Sequence, residues 1–204
     1  MHRKNVIILV VSREILDGTV VDRNAAFMAN RLGALGYRVR TIQMVDRVET
    51  EMVAAMRWAL DQKPDCVLVS GGLGPMDDDS TRACAAKAVG LPLREDQKAL
   101  EFVRASYRRL FALGLVDDAE MDAGRRRMAL LPAGADCGEN SIGAGPAVRL
   151  AVGTTTLFLL PGVPAELQRL FQTFVVPTIA PASSALPEQG EAEGRNWSGD
   201  PVDD

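Results

Sequence analysis

The chain of 204 residues is long enough for one well-buried α/β domain and too short for two ordinary ones. Its composition, 47% hydrophobic and 25% charged, is that of a globular protein, and no apolar run approaches the roughly 18–20 residues that cross a bilayer, which excludes a membrane protein. The net charge of −4 arises from residues 181–204, where six acids outnumber one arginine, so the near-neutral remainder has no electrostatic footprint for nucleic acid.

The first 70 residues predict three strands that alternate with two helices. A β-branched apolar run predicts a buried strand over Asn5–Val11; it is too short for a signal peptide and lacks a cleavage site, so we expect a cytoplasmic protein. The next elements are a loop over 12–21, a helix over 22–35 capped by Asp22, a strand over 37–45, a helix capped by Thr50 and ended by Lys63-Pro64, and a strand over 65–70. This alternation is typical of βαβ units on a parallel sheet, where ligands bind at the carboxyl ends of the strands.

The rest of the chain continues the pattern and ends in a polar tail. The expected elements are a helix over 80–90, a longer helix over 95–113 that buries Leu110 and Phe111, a polar and partly helical segment over 114–127, strands over Ala147–Val152 and Thr155–Leu160 joined by a turn near Gly153, and a helix over 164–176. Residues 181–204 are rich in Pro, Gly, Ser and Glu, which predicts a disordered tail after a single domain over 1–180. A partner-binding role for this tail is a weaker alternative.

Residues 70–81 carry the most informative pattern of the sequence. They comprise, in order, Ser70, the glycines Gly71, Gly72 and Gly74, the acids Asp77, Asp78 and Asp79, and Thr81 at a helix start. Glycines allow a sharp turn that brings amide groups close to a ligand, and the following helix N-terminus favours an anion. Three aspartates would repel a phosphate without a divalent cation between them, so the pattern predicts a site for a phosphorylated ligand with a metal. Helix capping is the simpler alternative for one or two of the acids, but it does not account for the glycines.

Acids also follow the first two predicted strands. Glu14 comes just after the first strand and Asp46 ends the second, so both are expected at the same edge as Asp79. For each of these two acids, a solvated loop residue without a function is an equally good interpretation. Three acids that come together at one edge of the sheet favour a functional site over three unrelated loop acids.

Several other classes of site are excluded. The sequence contains neither G-x-x-x-x-G-K-[ST] nor G-x-G-x-x-G in the glycine-rich stretch, which excludes a P-loop and the dinucleotide fingerprint. Three widely spaced cysteines fit neither a disulfide framework nor a zinc ligand set, and the only histidine, His2, excludes histidine-based catalysis and metal centres. Two further loops, 140–146 and 161–164, are either simple turns or additional sources of ligand-binding amides.

Five motifs, in order along the chain, resemble one family. The run Gly71-Gly72-Leu73-Gly74-Pro75-x-x-Asp78-Asp79-x-Thr81 resembles the G-G-L-G-P-T-x-D-D-x-T signature of the molybdopterin-binding domain in the competence/damage-inducible protein A (CinA) family. The wider superfamily includes the MoaB/MogA molybdopterin adenylyltransferases. The supporting matches are Glu14-Ile15-Leu16-x-Gly18 with Asn24, Val45-Asp46, Asn140-x-x-Gly143 and Pro161-Gly162-Val163-Pro164-x-Glu166.

The resemblance implies a three-layer α/β/α fold with a mostly parallel sheet, a homo-oligomer, and a pocket for molybdopterin or an adenine nucleotide. In adenylyl-transferring relatives the acids that match Asp79 and Asp46 are the catalytic pair and work with Mg²⁺. CinA-type relatives are associated with metal-dependent hydrolysis of ADP-ribose-like pyrophosphates. Together with the glycine pattern, the resemblance assigns Mg²⁺ or another divalent metal to Asp78 and Asp79. It assigns ligand binding to Glu14, Asn24, Ser70, Gly71, Gly72, Gly74, Thr81, Gly143, Pro161, Gly162 and Glu166.

Several positions depart from the family pattern: Ser12 replaces a glycine, the loop over 143–147 replaces G-T-A-P-G, and Arg13 and Met76 also differ. Arg13 stands where the family has an acid, and Met76 stands where it has a threonine whose hydroxyl could bind phosphate or metal. Arg13 is a candidate to pair directly with phosphate in compensation. Three hypotheses therefore stay open: a metal-dependent nucleotide pyrophosphatase, a molybdopterin adenylyltransferase, and a binding or regulatory module without catalysis.

Overall fold

The computed structural model describes residues 4–180; the predicted tail and His2 lie outside the described residues. The strands β1 to β8 span Asn5–Val11, Arg38–Val45, Cys66–Ser70, Leu93–Glu95, Leu130–Pro132, Asp136–Gly138, Ala147–Val152 and Thr155–Leu160. The helices α1 to α8 span Arg13–Leu16, Asn24–Ala34, Glu49–Asp61, Thr81–Val89, Gln97–Ala112, Ala123–Arg127, Pro164–Leu170 and Val176–Ile179, with a π-helical segment, Phe171–Val175, between the last two. None of the helices within residues 4–180 combines the length and apolarity that a membrane span requires.

Six strands form one mixed sheet in the order β2-β1-β3-β8-β7-β6. β2, β1, β3 and β8 are parallel neighbours, whereas β7 and β6 join the sheet in antiparallel pairs. The register aligns Val10 of β1 with Ser70 of β3, and Ser70 with Leu160 of β8. Because these strands end at one level, the loops that follow them meet at one edge of the sheet.

Helices cover both faces of this sheet. Side chains alternate along a strand, so neighbouring residues of β1 and β3 face opposite sides. Ile7 and Val67 pack with residues of α3, α4 and α5, whereas Ile8 and Leu68 pack with residues of α2 and α7. The fold is therefore the predicted three-layer α/β/α arrangement with a mostly parallel sheet, and burial of its central strands on both faces is a main source of stability.

The strands were predicted more accurately where they are long. β7, β8 and the turn at Gly153 lie where the sequence places them. The strands β4, β5 and β6 have three residues each, too few to show an alternation of apolar and polar side chains. The predicted loop over 12–21 contains the short helix α1, whose N-terminus is capped by the Ser12 hydroxyl accepting from the Ile15 amide.

Three helix predictions are corrected by the structure. Thr50 does not cap α3, because that helix begins at Glu49 after the extended residue Val48. Phe111 is 52% exposed rather than buried, because the buried stripe of α5 ends one turn earlier at Tyr107. The predicted helix over 164–176 contains a π-helical turn, whose extra residue a 3.6-residue pattern does not reveal.

Candidate functional site

A cavity of about 480 Å³ opens at the edge of the sheet where β1, β3 and β8 end. It passes over the glycine loop, residues 71–74, and reaches from the α2/α7 side of the sheet to Tyr107 and Met128 near α5. The predicted site residues that line it are Glu14, Asn24, Ser70, Gly71, Gly72, Gly74, Asp79, Pro161, Gly162 and Glu166. Four predicted site residues, Asp46, Asp78, Thr81 and Gly143, do not belong to the lining.

The backbone of the glycine loop explains why Gly71 and Gly72 are glycines. Their φ angles are 103° and 67°, values that side chains disfavour, and a Cβ on Gly71 would overlap the carbonyl oxygen of Val11. The Gly71 amide donates to the Leu160 carbonyl at 2.9 Å, which continues the pairing of β3 with β8. The prediction that the Gly71 amide is free for a phosphate is therefore wrong. The amides of Gly72 and Gly74 have no acceptor within residues 4–180.

Thr81 and Asp79 fix the shape of this loop. The Thr81 hydroxyl donates to the Gly71 carbonyl at 2.8 Å and its amide donates to the Gly72 carbonyl at 3.2 Å, so Thr81 positions the glycines instead of facing a ligand. The Asp79 carboxylate accepts from the Met76 amide at 3.1 Å through Oδ2. Its Oδ1 has no donor in the described part of the chain, and Asp79 lines the cavity, so this oxygen is available to a ligand.

Arg47, which no sequence motif indicated, joins two of the predicted acids. Its guanidinium donates to Asp78 at 2.7 Å and to Glu14 at 3.1 Å. Ser12 donates to Glu14 at 2.7 Å, and this hydrogen bond is the main reason that the pKa of Glu14 is lowered. The hydrogen bond from Arg47 likewise lowers the pKa of Asp78. Because Arg47 lines the cavity, it places a cation at a mouth where the motifs predicted only acids.

Asp46 is held outside the cavity lining by Arg13. The Arg13 guanidinium donates to Asp46 at 2.7 Å and the Arg47 amide donates to it at 2.6 Å; both bonds lower the pKa of Asp46, that from Arg13 the more strongly. Arg13 pairs with Asp46 and does not belong to the cavity lining, so it is not placed as the phosphate ligand that the sequence suggested. Of the three acids expected to converge, Glu14 and Asp79 line the cavity and Asp46 does not.

The acids do not form a ready-made metal centre. Asp78 turns toward Arg47, whereas Asp79 turns toward the amide of Met76 in its own loop, so the two do not share a site. Within residues 4–180 no group of three or more His, Cys, Asp or Glu side chains is placed to hold a metal ion. The side chains as placed do not fit a divalent cation held by this chain alone.

Asn140 organises the loop over 140–146 at the other side of the cavity. Its Nδ2 donates to the Gly145 carbonyl at 3.1 Å and to the Glu166 carboxylate at 2.6 Å, and its Oδ1 accepts from the amides of Gly143 at 2.8 Å and Ile142 at 3.2 Å. A Cβ on Gly143 would overlap the Glu166 carboxyl group. Gly143 therefore shapes the site without lining it.

Three buried polar atoms of residues that line the cavity have no hydrogen-bond partner within residues 4–180: Asn24 Oδ1, Ser70 Oγ and Arg47 Nε. Asn24 is 6% exposed and Ser70 is 1% exposed. The Nδ2 of Asn24 donates to the Gly162 carbonyl at 2.7 Å, which ties the loop after β8 to the start of α2. Buried polar atoms are nearly always hydrogen-bonded in folded proteins, so unpartnered ones in a cavity wall call for an explanation.

Arg82 is a buried cation beside the cavity that no sequence pattern indicated, because arginine in the first turn of a helix is ordinarily solvated. It is 4% exposed and donates to the carbonyls of Leu73 at 3.0 Å and Pro146 at 3.3 Å, which joins the glycine loop to the loop over 140–146. Burial lowers the pKa of Arg82 to about 10, so it stays protonated at neutral pH. None of the salt bridges among residues 4–180 involves it.

The Glu166→Gln variant is expected to be more stable than the wild type at pH 7. Burial raises the pKa of Glu166 above its ordinary value, despite the hydrogen bond from Asn140, so the folded state disfavours the ionised carboxylate. A raised carboxyl pKa contributes stability at acid pH that is lost as the pH rises through the shifted pKa. The advantage of the variant should therefore shrink as the pH falls through the raised pKa of Glu166, as urea unfolding at a series of pH values would show. A constant difference at all pH values would contradict this cause.

Comparisons with known proteins show which family the chain resembles. The family model described as "Probable molybdopterin binding domain" matches residues 7–181. A protein of Thermococcus kodakarensis is 38% identical over 172 residues, which cover 84% of this chain and 68% of that protein. A CinA-like protein of Myxococcus xanthus is 35% identical over 182 residues, which cover 89% of this chain and 41% of that longer protein.

Two solved structures have a fold similar to that of this chain. The protein CinA of Thermoplasma acidophilum, described as of unknown function, has a TM-score of 0.77 and 36% identity and covers 86% of this chain and 97% of its own. The molybdopterin biosynthesis enzyme MoaB of Thermus thermophilus has a TM-score of 0.56 and 20% identity, covering 86% and 91%, which shows a shared fold alone. The chain therefore belongs to the family of probable molybdopterin-binding domains, and CinA of Thermoplasma acidophilum is one of its relatives.

Proposed function

We propose that the cavity binds a phosphorylated small molecule of the pterin or nucleotide class, with its phosphates over the glycine loop. The observation that carries this proposal is the pair of free amides, Gly72 and Gly74, in the floor of a cavity of nucleotide size. The family description, and the biosynthetic role named for the MoaB relative, support a pterin as one of the two ligand types.

The cavity has the parts that such a ligand needs. The amides of Gly72 and Gly74 donate to phosphate oxygens, and helix α4, which starts at Thr81, adds its positive end at the same place. Arg47 adds a guanidinium at the mouth, where its bonds to Glu14 and Asp78 are exposed enough to exchange for a phosphate. On the far side Tyr107 and Met128 complete the cavity with an apolar wall.

Hydrolysis or transfer of a phosphoanhydride is a second candidate function, and the placement of Asp79 favours it. Its Oδ2 is fixed by the Met76 amide while its Oδ1 is free beside the glycine loop, an arrangement that suits a carboxylate that orients an attacking water. Asp46 takes no part in this step because it lies outside the lining and pairs with Arg13. A module that binds the ligand without turnover satisfies the first proposal but not this one.

The test uses the full chain with ADP-ribose, ATP and 6-hydroxymethylpterin diphosphate, each with and without Mg²⁺. Binding is measured by calorimetry and thermal shift, since a ligand that binds only the folded state raises the melting temperature. Failure of all three probes to bind in either condition would refute the binding proposal.

Asp79→Asn separates binding from chemistry. We expect any turnover of these probes to fall by about 100-fold or more, because general acid–base groups contribute factors of that order, while affinity changes little. Asp77→Asn is the matched control, since Asp77 lies in the same loop, has a 97% exposed side chain and pairs with Arg127 away from the cavity. Equal turnover in Asp79→Asn and Asp77→Asn would remove Asp79 from the mechanism.

A further inference from the structure

We propose that Asn24, Ser70 and Glu166 form a subsite that accepts hydrogen bonds from two adjacent donor groups of the ligand. This inference rests on the proposed function and adds which chemical group the α2/α7 end of the cavity recognises. Two sources have that chemistry: the neighbouring hydroxyls of a ribose, and the ring N–H with amino group of a guanine or pterin.

Ser70 faces this end of the cavity because of its position in β3. It is the last residue of the strand and shares a face with Leu68, which packs against α2 and α7. Its hydroxyl is buried and has no partner within residues 4–180, which costs stability in the absence of a ligand. An alanine would fill the same position without that cost, so the hydroxyl has no structural role that explains it.

Asn24 offers an acceptor whose orientation is set by the fold. Its Nδ2 donates to the Gly162 carbonyl at 2.7 Å, which leaves the buried Oδ1 as the atom without a partner in the described chain. An amide oxygen can only accept a hydrogen bond. The group that completes this site must therefore be a donor.

Glu166 adds a second acceptor on the first turn of α7. The Asn140 amide holds its Oε2 at 2.6 Å, and no donor in the described chain reaches its Oε1. Asn140 is itself fixed, because its Oδ1 accepts from the amides of Ile142 and Gly143. A phosphate or carboxylate of the ligand would meet acceptors here, so its anionic part belongs over Gly72 and Gly74 and its neutral donors belong at this end.

The first experiment compares Ser70→Ala with Thr155→Val. Thr155 is also buried, but it lies at the opposite end of β8 and its hydroxyl donates to the Pro64 carbonyl at 2.6 Å. We expect Ser70→Ala to keep or raise the melting temperature and to weaken ligand binding about tenfold, the loss of one good hydrogen bond. We expect Thr155→Val to lower the melting temperature by roughly 2–4 °C and leave affinity unchanged. A fall in melting temperature for Ser70→Ala, or unaltered affinity, would overturn the subsite.

The second experiment identifies the donor pair. Affinities of ATP and 2′-deoxy-ATP differ about tenfold if ribose hydroxyls occupy the subsite, whereas those of GTP and ITP, which lacks the amino group, differ about tenfold if a ring edge does. Either difference must disappear in Ser70→Ala or Asn24→Ala. If the wild type binds the probes but neither pair differs, the subsite is refuted and the proposed function stands. If the wild type binds neither these nucleotides nor the ADP-ribose and pterin diphosphate probes, both are refuted.

Discussion

Replacing Gly71 by alanine is expected to lower the free energy of unfolding by about 3–5 kcal/mol, because a strained backbone and a steric overlap add together. Its φ of 103° is a conformation that side chains rarely adopt, and the new Cβ would overlap the carbonyl oxygen of Val11, which is backbone and cannot turn away. Val11 ends β1, and the Gly71 amide bonds Leu160 of β8. Relief of the overlap would therefore disturb three neighbouring strands at the edge of the cavity.

Gly90→Ala is the control for this variant. Gly90 also has a positive φ, 71°, but a Cβ built there meets nothing within 4 Å. The unfavourable backbone conformation of an alanine at this position should alone lower the free energy of unfolding by about 1–2 kcal/mol. Urea unfolding of both variants measures the difference, and a Gly71→Ala protein as stable as Gly90→Ala would show that the loop relaxes easily.

Asn140→Ala is expected to lower the free energy of unfolding by about 2–4 kcal/mol, because several buried partners lose their bonds at once. The side chain is 1% exposed and bonds the amides of Ile142 and Gly143, the Gly145 carbonyl and the Glu166 carboxylate. The loop over 140–146 should lose its fixed shape, and any ligand of the cavity should bind more weakly.

A pH series tests the cause of this loss. Without Asn140, Glu166 loses the hydrogen bond that opposes the effect of burial, so its pKa rises further above the ordinary value. The deficit of Asn140→Ala should therefore be largest near pH 7 and narrower at an acid pH below the raised pKa of Glu166, where the carboxyl group is protonated. Asn30→Ala is the control on the exposed side of α2 and should stay within about 0.5 kcal/mol of the wild type. An equal deficit at both pH values would mean that Glu166 contributes nothing to it.

The parts of the site that were predictable depend on local rules. Gly71 and Gly72 could be recognised because the chain must turn sharply at the end of a strand, and only glycine allows that turn without a clash. Ser70 and Asp79 follow from their places next to this turn. The parallel sheet followed from the spacing of apolar runs, and so did the edge at which these residues lie.

The remaining parts depend on which long side chain reaches which loop, and a single sequence does not contain that information. Asp46 follows the edge strand β2 as predicted, but its direction is decided by Arg13 at the start of α1, 33 residues earlier in the chain. Arg47 bridges Glu14 and Asp78 across a similar separation. The free acceptor of Asn24 became apparent only from the bond that its other end makes to Gly162.

The buried guanidinium of Arg82, which donates to two backbone carbonyls, affects the electrostatic potential in the neighbouring cavity. The charge of Arg82 is not balanced by a carboxylate in a salt bridge, because the guanidinium donates to peptide carbonyls. In the protein interior, where the dielectric constant is low, the electrostatic potential of such a charge falls off with distance more slowly than that of a charge in water. Leu73 and Gly145, which lie next to it, both line the cavity, whereas Arg82 itself does not. The floor is thereby less repulsive to a negative guest than a count of the acids around the rim suggests.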